Sequence, residues 1–248
     1  MLDIATTTSV QNSGLLDAVL PHFRNAKVRV HAAGSGRALQ MLADGTVTLV
    51  ISHAPEAEAR YLREHSAWQY RKLAFNRFSV VGPDDDPADV KNASSAADAF
   101  RRIATARATF ISRGDGSGTH EREQTLWRAA GVAQKDAPIL VSGRSMSLAL
   151  RHADERHAYT LTDQATFWQM QRTLQLVELY SGDPLLLNTY AVVFPTGNAD
   201  AARFAQWLAD GQGRERIASF TIGGRPAFAV WPRDCAADTP HAQPCGVH

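Results

Sequence analysis

The sequence lacks most of the features that assign a function at a glance. It holds two cysteines in 248 residues, Cys235 and Cys245. Neither sits in a CxxC, so a redox motif is not expected, and two thiols cannot make a four-cysteine zinc site. Neither sign of charge is in excess: 26 Lys and Arg stand against 25 Asp and Glu, a formal net +1. That balance argues against nucleic-acid binding by broad phosphate neutralisation. It leaves a small anion site open, because one local Arg is invisible in the sum. No apolar run approaches the roughly 20 residues of a membrane span, so no direct membrane insertion is expected. The motifs of common chemistries are also missing. Gly114 to Thr119 lacks the Lys of a Walker A loop, and there is no GxSxG elbow. His152 and His157 lie five apart, which does not fit HExxH, and read as solvated histidines. Asp84-Asp85-Asp86 lacks the alternating ligands of an EF-hand and reads as a solvated turn.

What is present is an ordinary globular composition, 44% hydrophobic, ample for a core without metal or disulfide. Short apolar runs alternate with helical patterns, the mark of parallel βα units. Strands are expected at Leu2 to Thr6, Val28 to Val30, Thr46 to Ile51, Phe78 to Val81, Ala108 to Ser112, Ile139 to Val141, Ala158 to Leu161, Leu174 to Tyr180 and Tyr190 to Phe194. Helices are expected around Leu15 to Phe23, from Ala38, over Ala96 to Ala106 with Ser94 or Ser95 as cap, and over Glu121 to Ala130. More follow at Ser145 to His152, Gln164 to Met170, Ala201 to Leu208 and Arg214 to Phe220. Turn-rich crossovers near Gly82-Pro83 and Gly182-Asp183-Pro184 divide the chain into a discontinuous lobe, 1–81 with 189–248, and a continuous one, 82–188. The fold class expected is therefore α/β, two-lobed, each lobe a mostly parallel sheet flanked by helices. A ligand would lie in the cleft between lobes, at strand C-terminal ends.

Three strand-to-helix junctions are rich in hydroxyls and glycine: Thr6-Thr7-Thr8-Ser9, Gly34-Ser35-Gly36, and Ser112 through Thr119, which includes Ser117, Gly118 and Thr119. Helix N-termini present unpaired N–H groups, Ser and Thr add O–H donors, and Gly admits close backbone approach. One such junction alone is ordinary capping. Three together describe a donor-rich, acceptor-poor cavity suited to an anion. Arg113 is the natural counter-charge, since its fork can bond two oxygens. Arg144, in Gly143-Arg144-Ser145, is either a second cation or a solvated side chain. The two cysteines form a local disulfide if the compartment is oxidising, or remain free thiols on a frayed terminus. No export signal is visible before the strand-like Leu2-Asp3-Ile4-Ala5. The chain is either cytoplasmic or stripped of its signal.

At these residues the sequence resembles the tungstate-binding proteins of ABC importers. The likeness runs through Ala5-Thr6-Thr7-Thr8-Ser9-x-Gln11-x-Ser13-Gly14-Leu15-Leu16, Gly34-x-Gly36-x-Ala38-Leu39 and His53-Ala54-Pro55-Glu56. It continues in Phe78-x-Val80-Val81-Gly82-Pro83, Ser112-Arg113-Gly114-Asp115-x-Ser117-Gly118-Thr119-His120, Ala158-Tyr159-Thr160-Leu161-Thr162-Asp163 and Gly182-Asp183-Pro184-Leu185-Leu186-Leu187-Asn188. The resemblance implies the type II periplasmic binding-protein fold, with Thr7, Thr8, Ser9, Ser35, Arg113 and Ser117 to Thr119 around an oxyanion. It implies no cofactor and no catalysis. It also implies a monomer that delivers tungstate or molybdate to a membrane permease from the periplasm or cell exterior, its signal peptide removed. Gly143-Arg144-Ser145-Met146-Ser147 and Ser52 depart from the family pattern and could place an extra Arg and extra Ser near the anion. The tail beyond Arg225 matches no part of it. Two rivals remain: a ligand-sensing effector domain like that of LysR-type regulators, and an enzyme on phosphate or sulfate esters, whose base would be His53, His120, Asp115 or Asp163.

Overall fold

The computed structural model describes residues 1–143 and 145–246. The chain runs β1 (Leu2–Thr7), α1 (Thr8–Asn12), α2 (Leu15–Val19), β2 (Val28–Ala33), α3 (Ser35–Ala43), β3 (Leu49–Ser52), α4 (Pro55–Glu64) and β4 (Trp68–Gly82). It continues through α5 (Ala96–Thr105), β5 (Phe110–Ser112), α6 (Gly118–Ala129), β6 (Ile139–Val141), α7 (Met146–Glu155), β7 (Tyr159–Asp163), α8 (Gln164–Met170) and β8 (Val177–Tyr180). It ends with β9 (Leu187–Pro195), α9 (Ala199–Asp210), α10 (Gln212–Ser219), β10 (Thr221–Ile222), β11 (Arg225–Pro226) and β12 (Ala229–Val230). The class is the α/β arrangement expected. Two compact units result: Met1–Asn76 with the chain from Thr189 on, and Arg77–Asn188.

In the discontinuous unit β1 is central, with β2 and β3 parallel on either side, Ile4 opposite both Val30 and Leu49. β9 runs antiparallel to β3 and β12 antiparallel to β4. Parallel pairing puts the C-terminal ends of β1, β2 and β3 at one edge. Val50 packs with Ala38, Leu39 and Leu42 of α3. Its neighbour Ile51 points to the other face, where Leu15, Leu16, Leu208 and Ile217 line a small apolar cavity. A strand covered on both sides must be apolar at consecutive positions, as Leu49-Val50-Ile51 is.

The Arg77–Asn188 unit follows the same rule. β5 pairs in parallel with β6 and β7, and the end of β4 runs antiparallel to β7 and β8. Val80 and Phe110 face one core, Val81 and Ile111 the other. α5 buries Ala96, Ala99, Phe100 and Ile103, and α7 buries Met146, Ala149, Leu150 and Ala153, both at i, i+3, i+4, i+7. Ser95, not Ser94, caps α5. Phe100 and Phe110 each pack edge-on against Trp127 and lie tilted against each other, with centroids 4.6–5.3 Å apart.

Three features differ from the sequence expectation. α4 was not foreseen. β4 starts ten residues before Phe78. The tail past α10 is ordered structure: a β10–β11 hairpin, then β12, then a crossing of β4. There the Lys72 amide donates to Ala237 O (2.7 Å), and the Trp231 amide donates to Leu73 O (2.9 Å). Lys72 is 1% exposed. Its Nζ donates to Thr189 Oγ1 (2.6 Å) and Pro240 O (2.7 Å), and it lies 5.6 Å from the ring centroids of Tyr70 and Trp231. Of the two cysteine readings, the disulfide is the one found, Cys235 to Cys245. Among the described residues no helix is long and apolar enough to cross a membrane.

Candidate functional site

In the Arg77–Asn188 unit, β5 ends at Ser112 and the chain turns through Arg113-Gly114-Asp115-Gly116 before Ser117 caps α6. Gly114 (φ 58°) and Gly116 (φ 68°) are both left-handed, which favours glycine. A Cβ on Gly114 would also meet Val141 Cγ1 at 2.4 Å. The turn is thus built for an inward-pointing Arg113, which is 1% exposed. Its Nη2 donates to Asp115 Oδ2 (2.5 Å), and among the described residues Nη1 reaches only the Met146 sulfur at 3.9 Å. Nε has no partner among the described residues. A buried guanidinium with donors left over is costly unless something accepts from them.

Further donors collect at the same loop. Thr119 Oγ1 and Ser142 Oγ are buried without a partner among the described residues. Ser117 accepts from the His120 amide (3.3 Å) as N-cap, and Gly118 and Thr119 open the helix. The Ser142 and Gly143 amides donate to Ser112 O (2.8 Å) and Arg113 O (2.9 Å), which ties the end of β6 to this loop. Sequence reasoning passed over Ser142. Its signal was available, since it follows β6 as Ser112 ends β5. Arg144 lies outside the described residues.

The electrostatics follow from burial. The Arg113 charge and the Ser117 hydrogen bonds outweigh the desolvation that would raise Asp115, and hold its carboxyl below the usual range. Burial lowers His120, and Arg113 adds to the effect. His120 Nδ1 accepts from the Gly116 amide (3.0 Å) and Nε2 lies 3.3 Å from Gln124 Nε2. Asp163 is raised by burial and accepts from the Thr166 amide (2.9 Å) and hydroxyl (2.8 Å). Burial pushes Glu123, on α6, up to about 7. Its carboxylate accepts from Ser112 Oγ (2.5 Å) and the Arg113 amide (3.0 Å). Sequence reasoning also missed Glu123, because a Glu in Glu121-Arg122-Glu123-Gln124 reads as solvated.

In the other unit, Thr7 caps α1 by accepting from the Val10 amide (3.3 Å). Thr8 and Ser9 form its first turn, and the buried Thr6 Oγ1 has no partner among the described residues. Ser35 opens α3, fully buried, and its Oγ accepts from the His53 amide (3.4 Å). The structure thus brings Ser35 and the end of β3 together, beside the β1 end. His53 is buried and stacked on Tyr190, centroids 5.2 Å apart. Ser52 does not add a free hydroxyl: its Oγ donates to Glu58 Oε1 (2.7 Å), which also accepts from the Ala54 amide (3.0 Å). Ser145 caps α7 by accepting from the Leu148 amide (3.2 Å), and its Oγ lies 3.1 Å from Ser147 Oγ. No group of three or more His, Cys, Asp or Glu among the described residues could hold a metal ion. The arrangement offers hydroxyl, amide and guanidinium donors, and its described carboxylates are already bonded.

Comparison with known proteins agrees with this donor chemistry. Residues 4–212 match the family model described as a PBP superfamily domain. The chain is 38% identical over 242 residues to a putative ABC transporter anion-binding protein of Haloferax volcanii, covering 92% of this chain and 71% of that protein. It is 34% identical to the tungstate-binding protein TupA of Peptoclostridium acidaminophilum, covering 88% and 80%. Among solved structures, the tungstate ABC transporter protein of Geobacter sulfurreducens superposes with a TM-score of 0.79 at 36% identity, covering 88% of this chain and 98% of that one.

Proposed function

The chain belongs to the PBP superfamily, and on that premise we propose that it is the solute-binding component of an ABC importer that captures a tetrahedral oxyanion, tungstate first and molybdate second. The observation that carries the reading is Arg113, a buried guanidinium whose Nε has no partner among the described residues, in a loop shaped by two left-handed glycines. A dianion supplies the acceptor such a cation needs, and burial strengthens the attraction by excluding water. Ser117, Gly118 and Thr119 provide the N-terminal donors of α6 beside it. Thr7, Thr8, Ser9 and Ser35 form a second cluster of neutral donors in the other unit. The ranking of tungstate rests on the named relatives. The two oxyanions differ too little in size and charge for the donor set to rank them.

No chemical step is assigned. Three of the four bases an ester hydrolase could use are engaged in structure: His120 with the Gly116 amide, Asp115 with Arg113, Asp163 with Thr166, while the fourth, His53, is buried and stacked on Tyr190. The protein works outside the cytoplasmic membrane as a monomer, where its disulfide suits an oxidising compartment, and hands the anion to a permease. Native mass spectrometry with tungstate, molybdate, sulfate and phosphate in competition tests the reading. Retention of tungstate ahead of sulfate and phosphate is the expected result. Retention of none of the four overturns it.

A further inference from the structure

We propose that Glu123 is a positioning residue for anion capture, holding Arg113 from behind and taking up a proton as the anion arrives. The proposal rests on the oxyanion reading above. Glu123 is fully buried. One carboxylate oxygen accepts from the Arg113 amide at 3.0 Å and the other from Ser112 Oγ at 2.5 Å. Both bonds fall on the two residues where β5 ends and the loop begins, so the carboxylate sets the direction in which the Arg113 side chain departs. A residue buried for packing alone would carry no charge. Here a carboxyl is buried, and among the described residues no cationic side chain is hydrogen-bonded to it. The guanidinium ahead of it is already shared with Asp115.

Charge counting gives the consequence. Glu123, Asp115 and Arg113 together carry one negative charge when both acids are ionised. A dianion on Arg113 makes that three, inside a region of low dielectric. Neutralising Glu123 relieves the repulsion, and desolvation has already brought this group up to about 7, so a proton is available near neutral pH at small cost. The clamp survives the change. The protonated acid keeps an oxygen for the Arg113 amide, and the Ser112 hydroxyl reverses from donor to acceptor.

Asp115 and His120 do not substitute for it. Asp115 is held below the usual carboxylate range, and burial lowers His120, which favours its neutral form. Asp163, at the end of β7, is likewise raised by burial and bonded to the Thr166 amide and hydroxyl, so proton uptake that persists in Glu123→Gln would belong to it. On α5, packed against α6, Asp98 pairs with Arg101 and Arg102.

The sign follows by linkage. If the anion raises Glu123, binding takes up protons, and affinity rises as pH falls through the neutral range. Calorimetric titration of tungstate at pH 7.5 in two buffers of different ionisation enthalpy counts those protons. The wild-type chain is expected to take up a fraction of a proton per anion, with a Kd that tightens by up to about tenfold for each unit by which Glu123 is raised on binding. Glu123→Gln is expected to bind with no uptake and a flat profile between pH 7 and 8.5. If that variant does not fold, Ser112→Ala serves, because deleting a donor to the carboxylate moves the pH dependence upward. A merely structural carboxyl would change stability in either variant and leave the proton count alone. Tungstate binding without uptake in the wild type, or equal uptake in wild type and Glu123→Gln, overturns the proposal and spares the oxyanion reading. Binding of no oxyanion at any pH overturns both.

Discussion

The ends of β3 and β5 are built on one plan and differ in what they hold. Each strand closes on Ile-Ser, and each Ser hydroxyl donates to a fully buried Glu from the next helix, Glu58 or Glu123. Each Glu also accepts a backbone amide just past the Ser. Glu58 follows its Ser by six residues and Glu123 by eleven. Six leave room for only His53 and Ala54 before Pro55 starts α4. The His53 amide goes to Ser35, and Tyr70 closes the far side of Glu58 with a 2.7 Å hydrogen bond. Eleven admit a loop with two left-handed glycines and an inward Arg. The same clamp closes a junction with no inward Arg in one unit and carries a buried Arg in the other, and loop length is what separates them.

Removing the cation should have the largest effect. Arg113→Gln is expected to weaken tungstate binding at least tenfold, since truncating one partner of a buried charged pair costs about 2–5 kcal/mol. His53→Gln, at the β3 junction, should change affinity far less, and calorimetry reads both. The glycines come next. Gly114→Ala combines a left-handed φ with the Val141 contact and should cost about 3 kcal/mol in urea unfolding, against about 1 for Gly116→Ala, which has open space. At the clamps the effects shrink. Tyr70→Phe should lose about 1 kcal/mol of stability and leave tungstate affinity unchanged. An altered affinity would make the β3 clamp part of capture. The smallest effect is a slope with pH. The folded state holds a proton on Glu123 between its ordinary value of 4.5 and about 7, while the unfolded chain has released it. Glu123 therefore lowers stability as pH rises through that window, and Asp115, shifted the other way, opposes it only at more acid pH. Urea midpoints at pH 5 and pH 8 should move less in Glu123→Gln than in the wild type.

The parts of this molecule that could be read from its sequence are those whose polarity matches their surroundings. β1, α5 and α7 show apolar positions at the right period and sit where that period puts them. The Arg113 loop was legible because its glycines and hydroxyls are local. What escaped was buried charge. α4 buries only Glu58 and Tyr61, so its pattern looks like surface. β4 hides behind Arg71, Lys72, Asn76 and Arg77, which break the run of apolar residues. Glu123 is concealed in the same way. For Lys72 the partners that make burial tolerable, Thr189 and Pro240, lie too far along the chain for a local pattern to announce them, and for Glu58 and Glu123 the nearer partners Ser52 and Ser112 read as ordinary strand ends.

The crossing of β4 by the tail has a consequence for the order in which the protein is completed. Residues 77–188 are contiguous, so that unit has all of its strands and both cores as soon as Asn188 is available. Residues 1–76 must wait. Their third strand lacks its β9 neighbour, β4 lacks β12, and the Lys72 ammonium lacks its Pro240 acceptor until the last part of the chain arrives. A molecule emerging N-terminus first therefore carries residues 1–76 as an unfinished sheet, with Lys72 short of the Pro240 acceptor it has in the complete fold. It presents Arg113, already seated, before the half of the protein that was made first can close.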